Sequence, residues 1–194
     1  MLITIVIWVG ITMSKNRPEF DQYFMLLAKA ASTRSGCNSR PTGAIVVKDN
    51  HIIATGYNGS LPGQPQCTDR GDKFCHRRSI GKDDKGENKY SECVSVHAEA
   101  NAICQAAQFG IKLDGATIYT TLFPCIFCLK HIYSVGITEI IYETMYESDD
   151  PERDNYWKSL VKDLNITTRQ VKLLPNTLKL IGDNVILETS RRRL

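Results

Sequence analysis

Four side chains in two short stretches could do chemistry together. They are His97 and Glu99 in His97-Ala98-Glu99, and Cys125 and Cys128 in Pro124-Cys125-Ile126-Phe127-Cys128. One imidazole and two thiolates form a three-ligand set for zinc and leave the fourth tetrahedral position to water. Water held there ionises near neutrality, with a pKa of about 7. Glu99 stands two residues from His97, close enough to move that water's protons without ligating the ion. A structural zinc site would normally take four protein ligands and would have no use for Glu99.

The ligands need particular elements to hold them. His97 heads a stretch, His97–Phe109, whose Ala98, Ala102 and Ala106 recur on one narrow helical face. Cys125 is expected to start a second helix, with Pro124 presetting the turn into it. Ligands at helix N-termini face positive dipole ends, which favours ionised thiolates.

Upstream, 18–35 reads as a helix, with Pro18 in its first turn, Phe20, Phe24, Leu27 and Ala31 at helical spacing, and Gly36 closing it. Residues 43–48 and 51–56 read as a β-hairpin turning at Asp49-Asn50. Strands are expected at 116–121, 138–142 and 170–174, with a helix at 154–164. A further β-like run lies at 184–187. This order implies a three-layer α/β/α sandwich around a mixed five-stranded sheet.

Residues 57–92 are rich in Gly, Pro, Asp, Lys and Cys and read as a long loop or insertion, reaching to about residue 96. A loop of that length needs a function or a pin. Seven cysteines, an odd number, suit metal ligation in a reducing compartment better than a disulfide framework, so a cytoplasmic location is expected. Cys37, Cys67, Cys75 and Cys93 lie in or beside the insertion, with His76 and His51 as spare ligands. Cys104 is expected in the core of its helix.

Length and composition fit one α/β domain, taken as 18–175. The apolar run Met1–Thr12 is too short to span a bilayer and lacks a basic n-region, so 1–17 is read as a dispensable leader or disordered segment, with a small extra strand or an oligomer contact as the alternative. The extension 176–194 carries the basic end Arg191, Arg192 and Arg193, much of the +3 formal charge. No basic stripe interleaved with aromatics is present, which argues against nucleic acid as a partner. No membrane association is expected either. The Asn165-Ile166-Thr167 triplet is a chance glycosylation match.

H-x-E followed by P-C-x-x-C is the signature of zinc nucleobase deaminases. Over roughly 20–174 the chain resembles the deoxycytidylate (dCMP) deaminase family. The resemblance rests on Gly56-Tyr57-Asn58-Gly59-Ser60-Leu61-Pro62-Gly63, His97-Ala98-Glu99-Ala100-Asn101-Ala102-Ile103 and Leu122-Phe123-Pro124-Cys125. Leu61 departs from the family's GYNGxP by moving the proline one place later.

The resemblance implies a cytidine deaminase-like fold and hydrolysis of dCMP to dUMP and ammonia, supplying thymidylate synthesis. It makes Asn58 a sugar contact, Tyr57 a pocket wall and Arg34 the partner of the 5′-phosphate. For Arg34 the alternative is a solvated helix-end arginine, and for Tyr57 plain packing. Leu122 and Phe123 could shape the base pocket.

Cys37 and Cys67 fall where some members place a structural zinc. A second site would then comprise Cys37, Cys67, Cys75 and Cys93, with His76 interchangeable with Cys75. The resemblance further implies dCTP and dTTP as effectors, Mg2+ accompanying the nucleotide, and a homo-oligomer, commonly a hexamer. The readings left open beside dCMP are dCTP, or both nucleotides, as substrate, and a nucleic-acid deaminase or binding protein.

Overall fold

The computed structural model describes residues 17–81, 92–146 and 151–175. The leader 1–16, part of the insertion at 82–91, the run at 184–187 and the basic end lie outside the described residues. Among the described residues no helix is long and apolar enough to cross a membrane.

The sheet grows from a hairpin. Strands β1 (Gly43–Lys48) and β2 (His51–Tyr57) pair antiparallel, and both turn residues, Asp49 and Asn50, adopt positive φ. Asp and Asn tolerate that conformation best among non-glycine residues, so the turn chemistry was local and readable. Strand β5 (Thr117–Leu122) pairs antiparallel with β1 and parallel with β6 (Glu139–Thr144), and β6 pairs parallel with β7 (Thr167–Gln170). The resulting order is β2-β1-β5-β6-β7, a mixed five-stranded sheet as expected.

Alternate residues of β1 serve opposite faces, as the strand period requires. Ile45 and Val47 meet Phe24, Met25 and Ala28 of helix α1 (Phe20–Ser32), together with Tyr119 and Ile141. Ala44 and Val46 meet Ala98, Ala102 and Ala106 of α3 (Ala98–Gln108), and Leu129 and Ile132 of α4 (Ile126–Ser134). Leu160, Val161 and Leu164 of and after α5 (Pro151–Asp163) join that second face. Helices thus cover both sides of the sheet, giving the three layers. Burying a side chain such as Phe24 or Met25 stabilises by about 1.5–3 kcal/mol.

The insertion is not structureless. It contains a two-stranded ladder of β3 (Gly59–Ser60) with β4 (Ser95–Val96), a 3₁₀ turn at Thr68–Arg70 and the short helix α2 (His76–Ser79). Asn38 ties the folded part together, its side-chain N–H groups donating to the carbonyls of Cys67, Gly71 and Phe74.

Several local expectations are corrected. The last strand falls at 167–170 rather than 170–174: Val171 still donates its N–H to Tyr142 O, but there the ladder ends, and the side chains of Val171 and Leu173 pack with the cluster on the α1 face. Helix α1 begins at Phe20 with Glu19 as its N-cap residue, so Pro18 lies outside the helix, and it ends at Ser32 with Thr33 as C-cap, before Gly36. Gly36 instead makes room for Gln66, whose side-chain oxygen a Cβ there would approach to 1.9 Å and displace. Cys104 is exposed, on the side of α3 opposite its buried alanines.

Candidate active site

Two helix starts meet at the carboxyl end of the parallel strands, where open α/β sheets usually bind ligands. His97 is the N-cap of α3 and Cys125 the N-cap of α4, both in extended backbone conformation. Three short-range features bring them together. The narrow alanine face lets α3 lie close on the sheet, and Gly56 of β2 is so near that a Cβ would meet the Ala98 carbonyl oxygen at 2.1 Å. Phe123, stacked on Trp157 with ring centroids 4.7 Å apart and held by its N–H to Thr144 O, anchors the Pro124-Cys125 corner.

The Sγ atoms of Cys125 and Cys128 each lie 3.4 Å from His97 Nδ1. Among the described residues these three form the one group of His, Cys, Asp or Glu whose ligand atoms lie within 4.8 Å of one another. The set is open on one side: His97 is exposed, Cys125 half-buried and Cys128 buried. One imidazole nitrogen and two thiols at this spacing suit zinc, which prefers nitrogen and sulfur donors.

A hydrogen bond from Cys128 lowers the Cys125 thiol, against the effect of burial, and His97 lowers it further. Cys128 moves the opposite way, because it holds the proton for Cys125 and is itself buried beside that charge. His97 is raised, chiefly through its hydrogen bond to Cys125. Glu99 is 4 % exposed, and burial pushes its carboxyl up to about 7 despite the opposing charge of His97. That is a value suited to taking and giving protons near neutrality.

Asn58 stands beside this cluster because the β3–β4 ladder pairs Gly59 with Val96, the neighbours of Asn58 and His97. Its side chain is heavily committed. Oδ1 accepts from the Ser35 hydroxyl at 2.6 Å and from the Thr42 N–H at 2.8 Å, while Nδ2 donates to the Arg40 carbonyl at 2.9 Å. A second Nδ2 hydrogen remains for a ligand. Tyr57 is partly exposed next door, with its carbonyl bound by Asn101 Nδ2. Arg34 is exposed on the loop after α1.

Cys37, Cys67, Cys75 and Cys93 gather around the folded insertion. Burial raises the Cys93 thiol, and Cys37, Cys75 and Cys67 add to the effect. Burial also acts against Cys75, but hydrogen bonds from the Arg78 N–H and the Ser39 hydroxyl outweigh it, and this thiol is lowered. No three of them reach the mutual spacing of the His97 group. His76 lines a cavity of about 310 Å³ with Cys67. His51 is elsewhere, bound to the Asp49 carbonyl in the hairpin turn.

Sequence reasoning missed a second cavity, about 510 Å³, bounded by Lys29, Arg40, Thr42, Thr121, Leu122 and Thr144. Its residues come from α1, the loop before β1, and the ends of β5 and β6. Of these, Leu122 was singled out from the sequence for a different role, and Arg40 and Thr42, three residues and one residue ahead of β1, stood close enough to the hairpin to have been noticed.

Comparison with known proteins gives a consistent answer. The model of the cytidine and deoxycytidylate deaminase zinc-binding region matches residues 18–144. ComE operon protein 2 of Bacillus subtilis is 36% identical over 161 residues, covering 81% of this chain and 74% of its own length. A deoxycytidylate deaminase of Mycobacterium phage D29 is 40% identical over 131 residues, covering 66% and 96%. The chain spans only 44% and 45% of the fission- and budding-yeast deoxycytidylate deaminases it also matches. Among solved structures, dCMP deaminase from cyanophage S-TIM5, in complex with dCMP and dUMP, superposes with a TM-score of 0.59 at 26% identity, covering 80% of this chain and 98% of that one. The matched region takes in the hairpin, both helix starts and all four residues of the cluster, and the chain belongs to the cytidine and deoxycytidylate deaminase family.

Proposed function

We propose that this chain hydrolyses dCMP to dUMP and ammonia, with His97, Cys125 and Cys128 holding zinc and Glu99 moving the protons. The observation that carries the reading is the convergence of both thiols on His97 Nδ1 with the buried Glu99 carboxyl one residue into the same helix. Bound zinc would polarise a water molecule for attack. Glu99 takes a proton from that water and passes it to ring N3. The water oxygen bonds to C4. Glu99 then takes the second proton from the resulting C4 hydroxyl and hands it to the C4 amine, which leaves as ammonia as the C4–N bond breaks and the C4=O bond forms. Its raised pKa lets one group serve as base and then as acid. Asn58 offers its remaining Nδ2 hydrogen to the sugar, and Tyr57 borders the entrance.

A second, structural zinc on Cys37, Cys67, Cys75 and Cys93, with His76 as a substitute ligand, rests on the family resemblance, and the four thiols are near enough to influence one another electrostatically. Effector control by dCTP and dTTP with Mg2+, a hexamer and a cytoplasmic location belong to the same proposal and rest on the family resemblance.

Glu99→Ala tests the reading. The variant is expected to retain its zinc and to lose about 10²–10⁴-fold in dCMP turnover. Substantial activity in zinc-loaded Glu99→Ala sinks the assignment of the proton carrier. Metal analysis of the same preparations, beside Cys37→Ser, reports whether a second equivalent is present.

A further inference from the structure

Asn58 is gripped by its main chain and its side chain together. Its carbonyl accepts from the Gly36 N–H at 3.0 Å, and its N–H donates to the Thr42 carbonyl at 3.1 Å. The residue is 7 % exposed, and two backbone partners fix the sense of its amide. The Thr42 N–H can only donate, so it meets Oδ1; the Arg40 carbonyl can only accept, so it meets Nδ2.

Those two bonds leave one lone pair on Oδ1 and one hydrogen on Nδ2. Ser35 closes the lone pair. Oδ1 can only accept, so the Ser35 hydroxyl, 2.6 Å away, must donate to it, and the Cys37 N–H donates in turn to Ser35 Oγ at 3.0 Å. In such a chain each bond polarises the next, which makes the remaining Nδ2 hydrogen a better donor. The loop itself is seated by other contacts. Gln66 fills the space that missing Cβ atoms leave at Gly36 and Gly59, and its Oε1 accepts from the Ser60 N–H at 2.8 Å. None of these needs the Ser35 hydroxyl.

Resting on the proposed dCMP reading, we infer that Ser35 is a positioning residue: by closing the last lone pair of Oδ1 it makes Asn58 a donor-only contact, one that reads the substrate's 3′ oxygen as an acceptor. In a 2′-deoxynucleoside 5′-monophosphate the 3′-hydroxyl is the only sugar hydroxyl, and its oxygen has lone pairs to offer Nδ2. A 3′ substituent without an acceptor leaves a buried hydrogen unpaired, which costs binding. Removing the Ser35 hydroxyl reopens Oδ1 to a donor from water or ligand, and the discrimination weakens.

The test uses the zinc-loaded full chain with dCMP, its 3′-deoxy analogue and its 3′-amino analogue. All three are assayed below the pKa of the amine, where the 3′-ammonium group donates but cannot accept. The parent protein is expected to favour dCMP over both analogues by about tenfold or more in kcat/KM. Comparable turnover of dCMP and the 3′-ammonium analogue overturns the donor-only contact without recourse to any variant. Ser35→Ala is expected to shrink the preference for dCMP over the 3′-deoxy analogue by about fivefold, chiefly through a higher KM for dCMP. Ser35→Thr keeps a hydroxyl and is expected to restore the preference. General damage to the fold lowers both substrates alike. An unchanged preference in Ser35→Ala, or a Ser35→Thr that matches Ser35→Ala, therefore overturns the inference, while dCMP turnover by the parent protein leaves the proposed function standing. Failure of the parent protein to turn over dCMP overturns both.

Discussion

The seat of α3 on β2 supplies a sharp test of how packing serves chemistry. Gly56 is the contact point: a Cβ there would lie 2.1 Å from Ala98 O and 2.5 Å from Ala102 N, both backbone atoms. Ordinary contact begins near 3.4 Å, so Gly56→Ala must drive the helix and strand apart by more than an ångström. No side chain can rotate away to relieve it. Overpacking of this kind costs about 1–3 kcal/mol, set against about 0.5–1 kcal/mol gained from the lower chain entropy of alanine. The shift falls where α3 begins, between His97 and the buried Glu99. Displacing reacting groups by about 1 Å can cost on the order of 10²-fold in rate. Urea unfolding and dCMP turnover per bound zinc, measured on the same samples, give both readings. Wild-type stability and turnover in Gly56→Ala would refute the close seating, and lost stability with full turnover would refute its link to catalysis.

Other expectations follow from the same contacts. Phe123→Ala removes a ring stacked on Trp157 and edge-on to Tyr142, and a loss of about 3–5 kcal/mol is expected in the urea transition, with a change in Trp157 fluorescence. For Asp21, burial works against ionisation but is outweighed by hydrogen bonds from Arg169 and Tyr119, so the folded pKa lies below 3.8. Its contribution, discounted to about 0.5–1 kcal/mol for solvent exposure, is present above pH 3.8 and is lost as pH falls through the folded value. The melting-temperature gap between wild type and Asp21→Asn should accordingly shrink in acid, and a gap that persists well below 3.8 counts against the pairing. Cys104→Ser, on the open side of α3, is expected to change stability by no more than about 0.5 kcal/mol, and a larger loss in thermal melts would place that thiol in the core.

What could be read from the sequence was whatever local chemistry decides. The Asp49-Asn50 turn, the Ala98/Ala102/Ala106 face and the ligand pair at a helix start each declare themselves within a few residues, and each was found where expected. Long-range packing was less visible. Val171 and Leu173 look like strand residues because they are apolar, yet only Val171 still bonds to β6, and both side chains join the cluster that α1 builds on the sheet far away in the chain. Cys104 was misplaced by residue type, when its position, two beyond Ala102, already put it off the buried face. Lys29, Arg40 and Thr121 share a cavity only after α1, the loop before β1 and β5 have come together, so no spacing in the chain announces them.

The two-rung pairing of Gly59 with Val96 and Ser60 with Ser95 has a consequence for how this chain can change. It pins the two ends of the intervening segment together: the chain leaves the core and re-enters it through the same doorway. Lengthening such an excursion costs only about 0.6 kcal/mol per doubling, so insertions and deletions inside it can accumulate while Asn58 and His97 keep their register. Variation in specificity or control can then be tried on that segment, leaving the reaction apparatus on the frame untouched.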